Sequence, residues 1–184
     1  MNNFQQPDAE ESHSVMNNPS STHKQHTISI LVANKPGVLV RVALVFARRG
    51  YNIDALVVSP AFNPHFSRMT ITAQGNPVTL EQIIKQLNKL VDVIHAGEHS
   101  PDHTVHAELA LFKVKFSKTT KPILAKLAKN AGAGIIDDTG ETLIIQHAAP
   151  SDQVDELEHL LKKYGIVEMV RSGKLVMAKG KEST

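Results

Sequence analysis

Apolar and polar residues alternate along the first patterned segment of the chain. Ile28, Ile30 and Val32 are separated by single residues, which predicts a strand with one buried face. An Asn-Lys-Pro-Gly loop at 34–37 follows, because proline and glycine interrupt a strand and allow a sharp turn. Apolar residues then recur at helical spacing over 38–46, which predicts an amphipathic helix. The apolar positions of this helix are Val38, Leu39, Val42, Val45 and Phe46.

The same order of elements is predicted twice. It is strand, helix, strand, strand, helix, strand, and a short polar linker separates the two copies. The predicted strands are 27–33, 53–60, 68–74, 91–98, 105–116, 134–138, 142–147, 166–170 and 175–178. The further predicted helices are 78–90, 122–131 and 154–164. Each copy is a βαββαβ unit, so the predicted fold class is α+β with two tandem ferredoxin-like domains, at residues 26–99 and 104–180.

A four-stranded sheet with both helices on one face leaves its other face or an edge in need of cover. The strands of the first unit are apolar enough for pairing with another copy of the chain. The pattern therefore predicts a homodimer formed through this unit.

Composition narrows the class of protein. Residues 1–25 are rich in Asn, Gln, Ser and Pro, which predicts a disordered tail, and they lack the apolar core of a secretory signal. The formal net charge of +2 gives no argument for nucleic acid binding. The absence of cysteine excludes disulfides and thiolate chemistry and fits a reducing compartment, the cytoplasm. No apolar run approaches the roughly 20 residues that span a bilayer.

The loop at 34–37 is the candidate binding site. A helix begins directly after it, so unpaired backbone N–H groups are available there for a carboxylate. Gly37 has no side chain and permits close approach of a ligand. Asn34 and Asn52 offer carbonyl oxygens to an ammonium group without burying a net charge. This set indicates amino-acid binding rather than catalysis, although asparagine and glycine are also common in turns for purely structural reasons.

Other candidate chemistry is weaker. His95, His99, His103 and His106 lie near the linker, but their spacing matches no metal-ligand pattern, so exposed linker histidines are the default interpretation and no metal site is predicted. The Gly132-Ala133-Gly134 run follows a predicted helix and is typical of a helix C-cap.

The arginine residues Arg48, Arg49 and Arg68 are interpreted as solvated flank positions rather than phosphate ligands. No Ser/His/Asp arrangement with matching context is present, and no catalytic residue is predicted.

Longer runs of sequence resemble a known family. The runs NKPGVLVRVALVFARRGYNIDALVVSP, SRMTI and EQIIKQLNKLVDVI, followed by HAELALFKVK, GIIDDTGETL and YGIVEMVRSGKLVMAKG, are similar to the small regulatory subunit of acetolactate synthase. The first unit resembles the ACT domain, an amino-acid-sensing module. The resemblance covers about residues 26–180.

The resemblance implies a non-catalytic subunit without cofactors of its own. A separate catalytic subunit would use thiamine diphosphate, FAD and magnesium, would be activated by association and would become sensitive to valine. The effector would bind between the ACT domains of two chains, with Asn34 and Gly37 from one chain and Asn52 from its neighbour. The implied effector residues are Asn34, Lys35, Pro36, Gly37, Val38, Leu39, Asn52 and Ile53.

The second unit departs from the family pattern at two places that bear on contact with the catalytic subunit. Ala107 stands where arginine is frequent, and the 117–120 segment is short.

Two other functions are compatible with the predicted topology. The first is an ACT-type amino-acid sensor that regulates another enzyme. The second is an RNA-binding protein, since RNA-recognition modules share this topology, but their central strands carry exposed aromatic residues where this chain has Ile, Val, Met and Thr. A stand-alone enzyme is the least favoured, because no catalytic constellation is visible.

Overall fold

A computed structural model describes residues 24–181 and Thr184. Residues 1–23, most of the predicted tail, lie outside the described residues, whereas Lys24 and Gln25 already belong to the first strand. The strands are β1 Lys24–Ala33, β2 Ile53–Pro60, β3 Phe66–Gly75, β4 Val93–Glu98, β5 Thr104–Lys115, β6 Gly134–Asp137, β7 Thr142–Ala149, β8 Ile166–Arg171 and β9 Leu175–Ala178. The helices are α1 Val38–Ala47, α2 Pro77–Leu87, α3 Lys121–Asn130 and α4 Ser151–Lys162. None of these helices is long and apolar enough to cross a membrane.

The first sheet has the strand order β2-β3-β1-β4, and all of its neighbours are antiparallel. The alternating residues of β1 and β3 bury one face against α1 and α2, as the sequence pattern predicts. Leu39 is the exception in the predicted apolar stripe, because its side chain is 41% exposed. The buried core of this unit consists of Ile28, Ile30, Val32, Val38, Val42, Val45, Phe46, Met69, Ile71, Ala73, Leu80, Ile83, Leu87, Val93 and Ala96.

The second sheet repeats the arrangement with the order β6-β7-β5-β8, and β9 pairs with the first residues of β5. The predicted α+β class with two ferredoxin-like units is therefore confirmed. The predicted C-cap is also confirmed: Gly132 has φ 70°, and the N–H of Ala133 donates to the carbonyl of Ala128 at 2.8 Å. The core of this unit consists of Ala110, Phe112, Val114, Leu124, Ala128, Leu143, Ile145, Ala149, Val154, Leu157 and Leu161.

The open face of the first sheet is partly covered by the second unit of the same chain. Ser29, Thr70 and Thr72 lie on this face, opposite the helices, and are at most 5% exposed. A turn between β8 and β9 approaches it, and Lys174 Nζ lies 2.7 Å from Gln25 Oε1 of β1. The sequence pattern predicted that a second copy of the chain would cover this sheet. The second unit of the same chain already covers part of the open face.

Gly173 is the closest point of this contact. A Cβ atom built there would lie 2.8 Å from the Cβ of Ala55 in β2, and the backbone has φ +81°, which disfavours any side chain. We expect Gly173→Ala to lower the free energy of unfolding by about 1–3 kcal/mol, since the close-packed contact cannot relax without moving one unit. Urea unfolding measures this change. Gly180→Ala is the matched control, because it has φ +71° but no atom within 4 Å of the added methyl. If both variants lost the same free energy of unfolding, backbone strain alone, and no contact between the units, would explain the effect of Gly173→Ala.

Candidate functional site

The loop between β1 and α1 is fixed by its neighbour, the β2–β3 loop. The backbone N–H of Asn34 donates to the carbonyl of His65 at 2.8 Å, and Asn34 Nδ2 donates to the carbonyl of Pro64 at 3.0 Å. Because the amide uses its NH₂ group for this contact, Oδ1 remains available as an acceptor. Asn34 therefore links a candidate binding loop to a second loop of the same unit.

Gly37 sets the start of α1. It is the N-cap residue with φ 81° and ψ −9°, a left-handed conformation that favours glycine. The helix begins with the N–H of Arg41 donating to the carbonyl of Gly37 at 3.2 Å, and no side chain caps the preceding amides. The first turn carries no acidic residue. The N–H groups of Leu39 and Val40 are therefore suited to a carboxylate.

Arg41 adds positive charge at this helix start. A Cβ atom at Gly37 would lie 3.5 Å from Arg41 Nη1, and Arg41 Nη2 is 2.6 Å from Asp92 Oδ2. The sequence pattern predicted no role for Arg41 at this loop. Arg41 and Asp92 are far apart in the sequence, and no sequence pattern indicates that they pair. The position of the guanidinium beside the loop is therefore visible only in the fold.

The predicted effector residues differ in exposure. Asn34, Lys35, Pro36, Gly37 and Leu39 are exposed. Val38 is 2% exposed and belongs to the core, so its side chain does not line an open pocket, and only its backbone borders the loop. An apolar ligand side chain on this surface would therefore meet Leu39 rather than Val38.

Asn52 and Ile53 lie far from this loop in the same chain. Ile53 pairs with Ala73, which pairs with His26 near the beginning of β1. Asn34 is eight residues further along the chain than His26, or about 26 Å at the usual rise of a strand. The structure thus places the two asparagines at opposite ends of the first sheet, and one chain does not bring them together.

The far end of β2 reaches the level of the loop instead. Pro60 pairs with Ser67, which pairs with Val32, two residues before Asn34. Within the described residues, β2 is an edge of this sheet, with β3 as its one neighbour. An edge strand offers unpaired backbone groups to another strand. Antiparallel pairing of two β2 strands would place the Asn52 of one chain near the Asn34 loop of the other.

The histidines near the linker are interpreted from the sequence as exposed residues rather than metal ligands. Among the described residues, no cluster of three or more His, Asp or Glu side chains is arranged to hold a metal ion. His99 is half-buried and lies 2.5 Å from Ser29 Oγ through Nε2, so the prediction that it is exposed is wrong. Burial lowers the pKa of His99, and the nearby charges of Arg68 and His95 lower it further. His99 is therefore a structural contact between β1 and the linker.

Arg68 also differs from its predicted place on a solvated flank. It is half-buried, and its guanidinium donates to the carbonyl of Thr184 near the chain end.

Two family descriptions match the chain. One, "AHAS small subunit-like ACT domain", matches residues 28–95, and the other, "Small subunit of acetolactate synthase", matches residues 107–180. The chain is 40% identical over 156 residues to a probable acetolactate synthase small subunit of Archaeoglobus fulgidus, covering 85% of this chain and 98% of that protein. It is also 40% identical to the acetolactate synthase small subunit of Mycolicibacterium smegmatis, covering 84% of this chain and 91% of that protein. The crystal structure of the acetolactate synthase small subunit from Thermotoga maritima is similar at a TM-score of 0.78 and 35% identity, covering 86% of this chain and 99% of that chain.

Proposed function

The chain belongs to the family of acetolactate synthase small subunits, and from this membership we propose that it is a non-catalytic regulatory subunit. It associates with a separate catalytic subunit, raises the rate of acetolactate formation and makes that rate sensitive to valine. Thiamine diphosphate, FAD and magnesium belong to the catalytic partner in this proposal. The supporting observation is the loop at 34–37, which combines uncapped helix amides, Arg41 and the Asn34 amide on one exposed surface.

Valine fits the chemistry of this surface. Its carboxylate accepts from the first N–H groups of α1 and lies near the Arg41 guanidinium. Its ammonium donates to Asn34 Oδ1, and its branched side chain packs on Leu39, which is 41% exposed. The ammonium group of valine is bound by an amide oxygen in this proposal. The site therefore needs no carboxylate, which would carry an unpaired charge in the absence of valine.

A dimer completes the proposed site. Antiparallel pairing of β2 with the β2 strand of a second copy satisfies the sheet edge and supplies Asn52 and Ile53 to the ligand. The amide of Asn52 gives the ammonium a second acceptor. Valine bound between two chains stabilises the arrangement in which both sets of residues meet, and this differential affinity is the source of regulation.

The β2–β3 loop connects the site to a docking surface. Asn34 Nδ2 holds the carbonyl of Pro64, and in the same loop Phe62 is fully exposed at 108% of its reference area. A ligand that reorients the Asn34 amide changes the support of this loop. Phe62 supplies an apolar anchor for the catalytic subunit, as buried aromatic residues do at protein interfaces.

An activity assay tests the proposal. Acetolactate formation by the cognate catalytic subunit is measured with and without this protein over a valine titration. Stimulation that valine reverses is the expected result. Stimulation without a valine response would retain the partner and reject the effector site. Correctly folded protein without any effect would instead favour an ACT-type sensor that regulates another enzyme.

A charged substitution on β2 tests the proposed dimer edge. Val58 of β2 is 42% exposed, and we expect Val58→Lys to weaken dimerisation at least tenfold, because a lysine on an edge strand opposes pairing with another strand. Sedimentation velocity over a concentration series measures the dissociation constant. Val78→Lys is the matched control, since Val78 is 64% exposed and lies on a helix, α2, rather than on an edge strand. A dimer that tolerates both lysines would place the interface elsewhere.

A further inference from the structure

The second unit contains a cavity of about 370 Å³ between α3, α4 and β7. It lies on the helix face of the second sheet and shares no residue with the loop at 34–37. Its apolar wall is formed by Leu127 of α3 and by Leu157 and Leu160 of α4. A volume of this size is within the range of small-molecule sites.

His147 lies in this cavity with an unusual environment. It pairs with Ala110 across β7 and β5 and is 2% exposed, yet neither Nδ1 nor Nε2 has a hydrogen-bond partner within the described residues. Buried polar atoms are nearly always paired, so two such atoms on one ring require an explanation. Burial lowers the pKa of His147, and the neutral ring therefore offers one donor and one acceptor at neutral pH.

The opening of the cavity has negative character. Among the described residues, Glu156 of α4 is the one carboxylate in its lining, and no lysine or arginine side chain contributes to it. Helix α3 ends at Asn130 and α4 begins at Ser151, both beside the cavity, so the partial charges of the two helix ends oppose each other and Glu156 sets the charge of the opening. The amides of Asn130 and Gln153 supply neutral hydrogen-bonding groups. Anions are disfavoured here, and an ammonium group is favoured.

We propose that this cavity binds a small organic amine that also carries a hydroxyl group. The ammonium lies against Glu156 and the end of α3, the carbon chain lies on the three leucines, and the hydroxyl group hydrogen-bonds His147. This ligand satisfies the imidazole, the apolar wall and the carboxylate together. The site belongs to the second unit and does not depend on valine binding by the first.

Binding of 3-amino-1-propanol to the full chain tests the proposal. Histidine side chains are labelled with nitrogen-15, and NMR titration follows the ring nitrogens of His147. We expect saturable shifts with a dissociation constant on the order of 1 mM, because so few atoms limit the binding free energy of the ligand. Propylamine and 1-propanol each lack one polar group, and their affinity should be lower by at least about fivefold. Equal binding of 3-hydroxypropionate, or no saturable shift with any compound, would mean a cavity filled by water only and would overturn the proposal.

Two variants separate binding from folding. Glu156→Gln at the exposed opening should weaken binding of 3-amino-1-propanol about fivefold or more without changing thermal stability, since only the charge is lost. His147→Leu should abolish binding while the midpoint of thermal unfolding stays equal or rises, because an apolar side chain replaces two unpaired polar atoms. His159→Leu on the exposed side of α4 is the control and should leave binding unchanged. A lower unfolding midpoint in His147→Leu with intact binding would assign His147 a structural role and overturn the proposal.

Discussion

Asn34→Ala is expected to raise the valine concentration for half-maximal inhibition at least tenfold. Activation of the catalytic subunit should remain largely intact, because the backbone N–H of residue 34 still donates to the carbonyl of His65 and holds the β2–β3 loop. The variant removes the amide oxygen that accepts from the ammonium group, and hydrogen bonds to charged groups contribute roughly 1.5–3 kcal/mol. Core residues are unaffected, since Asn34 is exposed. Acetolactate formation over a valine titration, in the presence of saturating regulatory subunit, measures both properties.

The control for this variant is Asn63→Ala in the neighbouring loop. Asn63 Oδ1 accepts from the N–H of His65 at 3.1 Å, so the control loosens the same loop without removing the Asn34 amide. Valine inhibition should persist in Asn63→Ala. Equal loss of inhibition in both variants would show that the loop conformation, and not a contact of Asn34 with valine, carries the response.

Gly37→Asp should abolish the valine response for a second reason. The new carboxylate would occupy the helix amides that the valine carboxylate needs, and it would repel that carboxylate. An Asp residue at φ 81° is also strained. Gly140→Asp is the matched control, because Gly140 has φ 67° in an exposed turn of the second unit with no atom within 4 Å. Normal inhibition in Gly37→Asp would show that the assigned pocket is wrong.

The elements of the fold could be predicted because their signals are local. Alternating positions such as Met69, Ile71 and Ala73 identify β3, and the apolar positions Leu80, Ile83 and Leu87 identify α2. Both patterns arise from burial of one face, and the structure buries those faces. Leu39 has the same apolar character and helical spacing, but a periodic pattern does not indicate where the apolar stripe of a helix ends.

The arrangement of the units could not be predicted in the same way. The approach of Gly173 to Ala55 and the contact of Lys174 with Gln25 join residues more than 100 positions apart, and neither pair has a distinctive sequence signal. The candidate site could be predicted from the sequence only in part. The loop at 34–37 follows from local turn chemistry, whereas the separation of Asn34 from Asn52 depends on the register of three strands.

His147 shows another limit of sequence reasoning. His147 alternates with Ile145 and Ala149 on one face of β7, so the sequence indicates only a residue on the buried face of a strand. Whether its nitrogen atoms have partners depends on which residues of α3 and α4 pack over it. That information is present only in three dimensions.

Arg171→Met is expected to lower the free energy of unfolding by about 3 kcal/mol, because it leaves a buried carboxylate without its partner. Glu108 is 4% exposed, and its two oxygens lie 2.5 Å from Arg171 Nη2 and 3.2 Å from Arg171 Nε. Arg171 Nη1 also contacts Asp155 of α4 at 2.6 Å. Thermal unfolding should show a midpoint about 6–12 °C lower for a chain of this size. Lys85→Met is the control, since Lys85 pairs with Glu81 on the exposed surface of α2 and should have little effect.

The pH dependence of stability provides an independent check on the same pair. Burial alone would raise the pKa of Glu108, but hydrogen bonds, chiefly from Arg171, outweigh burial and hold this pKa below its ordinary value of 4.5. A carboxylate with a lowered folded pKa stabilises the protein above its unfolded pKa, and this contribution is lost as the pH falls through the folded value. The wild-type protein should therefore lose stability below about pH 4.5 more steeply than Glu108→Gln/Arg171→Met, which lacks both charges. This double variant should also be more stable at neutral pH than Arg171→Met, because no unpaired carboxylate remains buried. If it were as unstable as Arg171→Met, the cost would arise from lost packing of the arginine chain rather than from an unpaired charge.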